Sequence, residues 1–158
     1  MKHLQKKENI LGFDINTETI SAAVDYIVQW LNDGMQSKVF VCANPHSLVQ
    51  AKNDLLFHEA LHCGDLVTPD GTGIVLASKL LGGSIRERVT GSDIFSGLSE
   101  KLNKSGGRSY FFLGSTEQTL AAIKEKLVRE YPNIKFAGSY SPPYKAEFSE
   151  EESRLMIE

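Results

Sequence analysis

The chain alternates between short apolar runs and longer segments whose apolar residues recur every three or four positions. A run of four to six apolar residues suits a strand buried on both faces, and the three–four spacing suits a helix with one face on a core. Residues 10–13 read as a first short strand. Asn16 or Thr17 can cap a helix to about Leu31, with Ile20, Val24, Ile27, Val28 and Leu31 on one face and Gly34 at its end. Residues 38–43 read as a strand, and a helix with Pro45 in its first turn is predicted to run through Leu61. Residues 65–68 are a further strand. The helix predicted over 73–81 turns Ile74, Ala77, Leu80 and Leu81 inward and stops at Gly82-Gly83. Ser92 or Asp93 opens a helix to about Asn103, which Gly106-Gly107 ends. Residues 109–113 are the most strand-like run. It breaks at Gly114-Ser115-Thr116, where Thr116 caps a helix carrying Leu120, Ile123, Leu127 and Val128. Residues 134–138 form a last strand. Ser149 and Glu152 then make a capping box at the start of a final helix.

Strands alternating with helices predict an α/β fold: a Rossmann-like, mostly parallel sheet with helices on both faces, in a single domain over residues 1–158. Such sheets bind ligands beyond the carboxyl ends of their strands. Three strand ends carry polar residues, and the pattern predicts Asn44, Asp70 and Ser115 at one rim. A sheet of this class rarely ends on a helix with no strand after it, so the sequence reads as part of a longer one.

Composition narrows the classes. With 158 residues, 41% hydrophobic and 23% charged, the chain resembles an ordinary globular protein able to bury a core. A formal charge of −3 gives no basic face for nucleic acid. Two cysteines, Cys42 and Cys63, are too few for a disulfide scaffold and predict reduced thiols in a cytoplasmic protein. The charged opening, Met1 to Glu8, has no apolar segment behind it and does not read as a signal peptide. No run reaches the length of a membrane span, so membrane contact is expected to be peripheral. Leu155, Met156 and Ile157 on the last helix leave apolar surface that suits self-association into a homo-oligomer.

Several constellations offer chemistry. His58-Glu59-Ala60-Leu61-His62 matches the zinc-protease pattern, two histidines one helical turn apart. Cys63-Gly64-Asp65 ends that helix at once, and only His3 and His46 remain as further histidines, so a zinc hydrolase is the remote reading. A helix end whose histidines suit the dipole is the plain one. Pro69-Asp70-Gly71-Thr72-Gly73 is a turn by composition. At a strand end facing a helix start, Asp70 is also placed to act as a general base, while Gly71 and Gly73 let a ligand approach the backbone. In Arg86-Glu87-Arg88-Val89-Thr90-Gly91-Ser92-Asp93, a solvated loop competes with an arginine aimed at a diphosphate, assisted by N–H groups after Thr90. Gly114-Ser115 lacks the full glycine spacing and lysine of a phosphate loop. Ser141-Pro142-Pro143-Tyr144 reads as an ordered loop.

Taken in order, Asn44-Pro45, Pro69-Asp70-Gly71-Thr72-Gly73, Leu80-Leu81-Gly82-Gly83, Glu87-Arg88-Val89-Thr90-Gly91-Ser92-Asp93 and Phe112-Leu113-Gly114 resemble the WecG/TagA/CpsF glycosyltransferases from Ile10 to about Glu152. The resemblance implies an inverting transfer without a metal or other cofactor. The sugar, typically N-acetylmannosamine, moves from a UDP donor to a lipid-linked acceptor, polyprenyl-diphosphate-N-acetylglucosamine. The products serve teichoic acid, common antigen or exopolysaccharide synthesis at the cytoplasmic membrane face. By motif position it assigns Asp70 as base to the acceptor hydroxyl, Asn44 to the same pocket and Arg88 to the diphosphate. Gly114 and Ser115 are assigned to the nucleotide. Cys42 stands where the family often has threonine, a stronger hydrogen-bonding group. Family members continue beyond this sequence with a loop that completes the donor pocket and an appendage that reaches the membrane. The reading from another class is a non-catalytic nucleotide- or partner-binding α/β domain.

Overall fold

The computed structural model describes residues 6–34, 37–145 and 147–157. The opening segment through Gln5, including His3, and Glu158 lie outside the described residues. The chain divides into two compact units, one running through Leu98 and the other from Ser99.

The first unit opens with β1 (Lys7–Ile10) and β2 (Phe13–Asn16), an antiparallel hairpin. The strand expected at 10–13 is instead the tip of this hairpin. Leu11 and Gly12 take φ of 55° and 98°, and Asn9 Oδ1 accepts from the Gly12 N–H at 3.1 Å. Positive φ at both central residues gives the turn the twist its strands need. Helix α1 (Ile20–Asn32) is capped by Thr19, whose hydroxyl accepts from the Ala22 N–H, and not by Asn16 or Thr17. Asn16 is buried, and its Oδ1 accepts from the Val67 N–H at 2.8 Å.

Strands β3 (Phe40–Ala43) and β4 (Leu66–Pro69) pair in parallel, from Phe40 opposite Leu66 to Ala43 opposite Pro69. The single helix expected between them is two, α2 (Pro45–Ala51) and α3 (Leu55–His62). Asp54 adopts extended backbone, and its carboxylate accepts from the Phe57 N–H at 3.0 Å. A short acceptor side chain of this kind starts a new helix in place of continuing the old one. After β4 come α4 (Thr72–Leu80) and α5 (Gly91–Ser105), with the boundary between the units inside α5. Adjacent residues of β4 enter different cores. Val67 packs with Ile10, Phe13, Ile15, Leu48, Leu61, Ile74 and Ile85, while Leu66 packs with Ala23, Val24, Val89 and Ile94. The strand pair is therefore covered on both faces, as the apolar runs predicted. Leu80 and Leu81 do not turn inward: they are 78% and 74% exposed. Ile74 and Ser78, one turn apart, are the buried positions of α4.

In the second unit β5 (Arg108–Leu113) and β6 (Ile134–Tyr140) pair in parallel through the crossover helix α6 (Glu117–Glu130). Thr116 caps α6 as predicted, accepting from the Thr119 N–H, and Leu120, Leu127 and Ile134 are buried. In the last helix, α7 (Glu150–Ile157), Ser149 and Glu152 form the expected reciprocal cap. The architecture is α/β, with one antiparallel hairpin and two parallel strand pairs among the described residues.

One carboxylate ties the hairpin to the end of α4. Glu8 Oε2 accepts from the Ser84 N–H at 2.7 Å, the Ser78 hydroxyl at 3.0 Å and the Ile85 N–H at 3.3 Å. A Cβ on Gly83 would lie 2.0 Å from Glu8 Oε1, so only glycine admits the carboxylate. Burial raises the Glu8 carboxyl. The hydrogen bonds from Ser84, Ser78 and Ile85, with the Arg86 charge, outweigh that and hold it below the ordinary 4.5. A lowered folded value adds stability that is complete above pH 4.5 and lost as pH falls through the folded value. Glu8→Gln should therefore cost about 1–3 kcal/mol at neutral pH. In thermal melts its deficit against the parent should shrink steadily below pH 4.5.

Candidate functional site

The carboxyl edge of the β3–β4 pair brings two of the expected residues together. Because Ala43 stands opposite Pro69, the next residues, Asn44 and Asp70, leave the sheet side by side, and the Asp70 N–H donates to the Ala43 carbonyl at 2.8 Å. Asn44 caps α2 in a reciprocal box. Its Oδ1 accepts from the Ser47 N–H, and the Ser47 hydroxyl accepts from the Asn44 N–H, both at 2.9 Å. The cap holds the Asn44 oxygen and leaves its amide N–H groups to meet a ligand. Gly71, at φ 111°, is the cap position of α4, and no side chain caps that helix. The Ile74 N–H turns back to the Gly71 carbonyl at 3.2 Å, and the Thr72 and Gly73 N–H groups are left for an outside acceptor. A Cβ at Gly73 would lie 2.7 Å from Pro45 Cγ, so the starts of α2 and α4 are as close as glycine allows.

The start of α5 reaches the same edge. Thr68, buried at the end of β4, donates to the Val89 carbonyl at 3.1 Å, and the Val89 N–H donates to the Pro69 carbonyl at 2.8 Å. Thr90 and Asp93 then cap α5 reciprocally: the Thr90 N–H and hydroxyl donate to Asp93 Oδ2 at 3.0 and 2.7 Å, and the Asp93 N–H donates to Thr90 Oγ1 at 3.2 Å. These bonds from Thr90 hold the Asp93 carboxyl below its ordinary value despite partial burial, and Arg88 adds to the effect. Arg88 itself is exposed. Its neighbour Glu87 turns away from this edge, accepting from the Ile20 N–H at the start of α1 at 2.8 Å. Cys42 lies among these groups: a Cβ at Gly91 would be 3.5 Å from its Sγ. Burial raises the Cys42 thiol, and the Asp70 and Asp93 charges add to the rise against the hydrogen bond from Thr68. At neutral pH it is a protonated, half-buried thiol and not a nucleophile.

In the second unit, Gly114 and Ser115 follow β5 with φ of 105° and 68°. The Gly114 N–H donates to the Tyr140 carbonyl, and the Ser141 hydroxyl donates to the Ser115 carbonyl at 2.7 Å. Ser115 borders a cleft of about 540 Å³ at the carboxyl end of the β5–β6 pair, together with Thr116, Pro142, Tyr144 and Phe148. The loop at Ser141-Pro142-Pro143-Tyr144 is thus a wall of a cleft. Asn44, Asp70, Gly71, Gly73, Arg88 and Thr90 belong to the first unit, Gly114 and Ser115 to the second.

His58 and His62 sit on α3 with ring centroids 4.5 Å apart, both packed on the Phe13 ring at 5.1 Å. Among the described residues no group of three or more His, Cys, Asp or Glu is gathered to hold a metal ion. The pair is a packing element of the hairpin. Sequence reading missed Ser47 and Thr68, which hold the two strand ends in place. Ser47 carried a weak signal, since Asn-x-x-Ser spans the capping distance without the usual acidic partner. Thr68 carried none, because its acceptor lies 21 residues away.

The model of the glycosyl transferase WecG/TagA/CpsF family matches residues 8–158. Three curated proteins similar to this chain share the name N-acetylglucosaminyldiphosphoundecaprenol N-acetyl-beta-D-mannosaminyltransferase. The Bacillus spizizenii protein is 29% identical over 131 residues, 83% of this chain and 50% of its own length. The Bacillus subtilis protein is 28% identical over 137 residues, 87% and 53%, and one from Staphylococcus aureus is 29% identical over 132 residues, 83% and 52%. The chain spans about half the length of the curated relatives it matches.

Two outcomes follow from the geometry. Gly73→Ala should push Pro45 and the Asn44 cap off the α4 start, at a cost of about 1–3 kcal/mol read in a denaturant melt. Toward a thiol reagent at neutral pH, exposed Cys63 should react first and half-buried Cys42 much more slowly, so that the folded chain gives a two-phase time course that denaturant makes single.

Proposed function

This chain belongs to the WecG/TagA/CpsF glycosyltransferase family, and we propose that it carries the acceptor-activating part of a sugar transferase. The reading is a transfer of N-acetylmannosamine from a UDP donor to N-acetylglucosamine on a polyprenyl diphosphate, the acceptor and sugar that the relatives' name specifies. The observation that carries it is the meeting of Asp70 and Asn44 at the carboxyl edge of β3–β4, against the uncapped start of α4. Both compact units are read as parts of one transferase domain acting at the cytoplasmic face of the membrane. No described helix is long and apolar enough to cross a membrane.

In this reading Asp70 takes the proton of the acceptor hydroxyl as its oxygen attacks the anomeric carbon. The bond from that carbon to the diphosphate breaks, and its electron pair leaves with UDP. One displacement on an α-linked nucleotide sugar gives a β-linked product, in agreement with the β-mannosaminyl name of the relatives. Such a displacement uses one base and no carboxylate nucleophile, unlike a retaining transfer. Negative charge grows on the leaving diphosphate. The N–H groups at the Gly71–Gly73 start of α4 and the Arg88 guanidinium are suited to it, with Thr90 holding the Asp93 carboxylate on the α5 start. The Asn44 amide orients the sugar, and the cleft beside Gly114 and Ser115 takes part of the nucleotide.

The test pairs calorimetry of the chain with UDP against an assay of sugar transfer to an N-acetylglucosaminyl-diphosphate lipid. Asp70→Asn should lower kcat by about 10²- to 10⁴-fold with UDP binding unchanged within a few-fold. Full turnover in that variant overturns the base assignment, and absence of heat with UDP overturns the donor. UDP binding by a parent chain that transfers no sugar favours the non-catalytic binding domain.

A further inference from the structure

We propose that the exposed face at the end of α4 is a docking surface for an anionic lipid bilayer, so that α4 stands between the membrane and Asp70. The inference rests on the reading of the acceptor as a lipid-linked diphosphate sugar. Leu76 and Leu80 on α4, and Leu81 just past its end, are 57%, 78% and 74% exposed, while Ile74 and Ser78 are buried. Three large apolar side chains held in water within one and a half helical turns carry an unspent desolvation gain that an apolar phase recovers.

The charges around them point the same way. Lys79 lies between the leucines, and Arg86 borders the same hollow of about 580 Å³ with Val75, Gly82, Gly83 and Ile85. Arg86 steadies itself by donating from Nη1 to the Gly83 and Ile85 carbonyls, which leaves the rest of its guanidinium fork outside. The neighbouring acids are engaged by backbone N–H groups: Glu8 by those of Ser84 and Ile85, and Glu87 by that of Ile20. A chain of net charge −3 thus shows two cations beside three exposed leucines. Leucine flanked by lysine and arginine is the composition of an interfacial contact with an anionic leaflet. A second copy of the chain fits less well. A two-fold contact through this face would bring the Lys79 and Arg86 charges of both copies into one shared patch, where like charges repel.

The placement has a mechanistic meaning. Helix α4 begins beside Asp70 and rises about 12 Å from Thr72 to Leu80 at 1.5 Å per residue. That is the scale of one hexose with its diphosphate. With the leucines at the lipid surface, an acceptor anchored by its polyprenyl tail lies along α4 and presents its sugar to the carboxylate.

Co-sedimentation with phosphatidylcholine vesicles, with and without phosphatidylglycerol, tests the surface directly. The chain should bind the anionic vesicles, bind the neutral ones weakly and release as salt rises. Leu80→Ser with Leu81→Ser should weaken binding about tenfold or more, and Lys79→Glu with Arg86→Glu should abolish the preference for anionic lipid. All four residues are exposed, so unchanged circular dichroism should accompany the loss. No binding to anionic vesicles, or equal binding by the variants, overturns the proposal. So does a leucine variant that binds vesicles normally but changes the sedimenting mass, which would assign the face to a second copy. Vesicle binding without any sugar transfer would leave the surface standing and remove the acceptor reading.

Discussion

The parallel register between β3 and β4 is the constraint on which the first unit turns. With Ala43 opposite Pro69, both strands end at the same height, and the Asp70 N–H closes the ladder on the Ala43 carbonyl. A slip of one residue would exchange the two faces of β4, sending Leu66 toward the hairpin core and Val67 toward α1. It would also part Asn44 from Asp70. The core and the site are therefore specified by the same hydrogen bonds. The buried Asn16, bonded to the Val67 N–H, holds the hairpin to that register from its other side.

Around this edge each helix start solves its orphan N–H problem differently. Asn44 with Ser47 caps α2, Thr90 with Asp93 caps α5, and Glu87 with Thr19 serves α1. Only the glycine-led start of α4 takes no side-chain cap among these four. The glycines are required because Pro45 stands too near for a Cβ at position 73, and that proximity is what brings Asn44 to the turn. The same helix displays leucines, lysine and a nearby arginine at its far end, so one short element links a polar site to an apolar surface.

Strand and helix identity was legible where periodicity was long and caps were local. Residues 109–113, the Thr116 cap and the Ser149–Glu152 box all form as expected. The Leu11–Gly12 turn was not legible, because leucine at positive φ contradicts its own preference and the apolar run continues through it. The break at Asp54 was missed because capping there competes with a helix pattern that is otherwise unbroken. Leu80 and Leu81 fit the inward phase of a helix by spacing, yet the core stops at Ser78, where Glu8 fills the space beneath Gly83. No local pattern encodes that, since Glu8 and Ser78 are 70 residues apart.

What the sequence determined by itself is the alternation of elements, the α/β class and the order of motifs that places the chain in its glycosyltransferase family. These follow from side-chain period and from backbone rules for proline, glycine and capping residues, all of which act within a few positions. Tertiary structure alone decided which polar residues hold the frame. Asn16, Glu8, Glu87 and Thr68 are committed to N–H and carbonyl partners far along the chain, while Asp70 and Asn44 stand side by side at a strand edge and Arg88 is exposed. The reason is physical: a buried polar group takes whatever partner the packed chain brings to it, and that partner is set by the register of strands, which no short stretch of sequence contains.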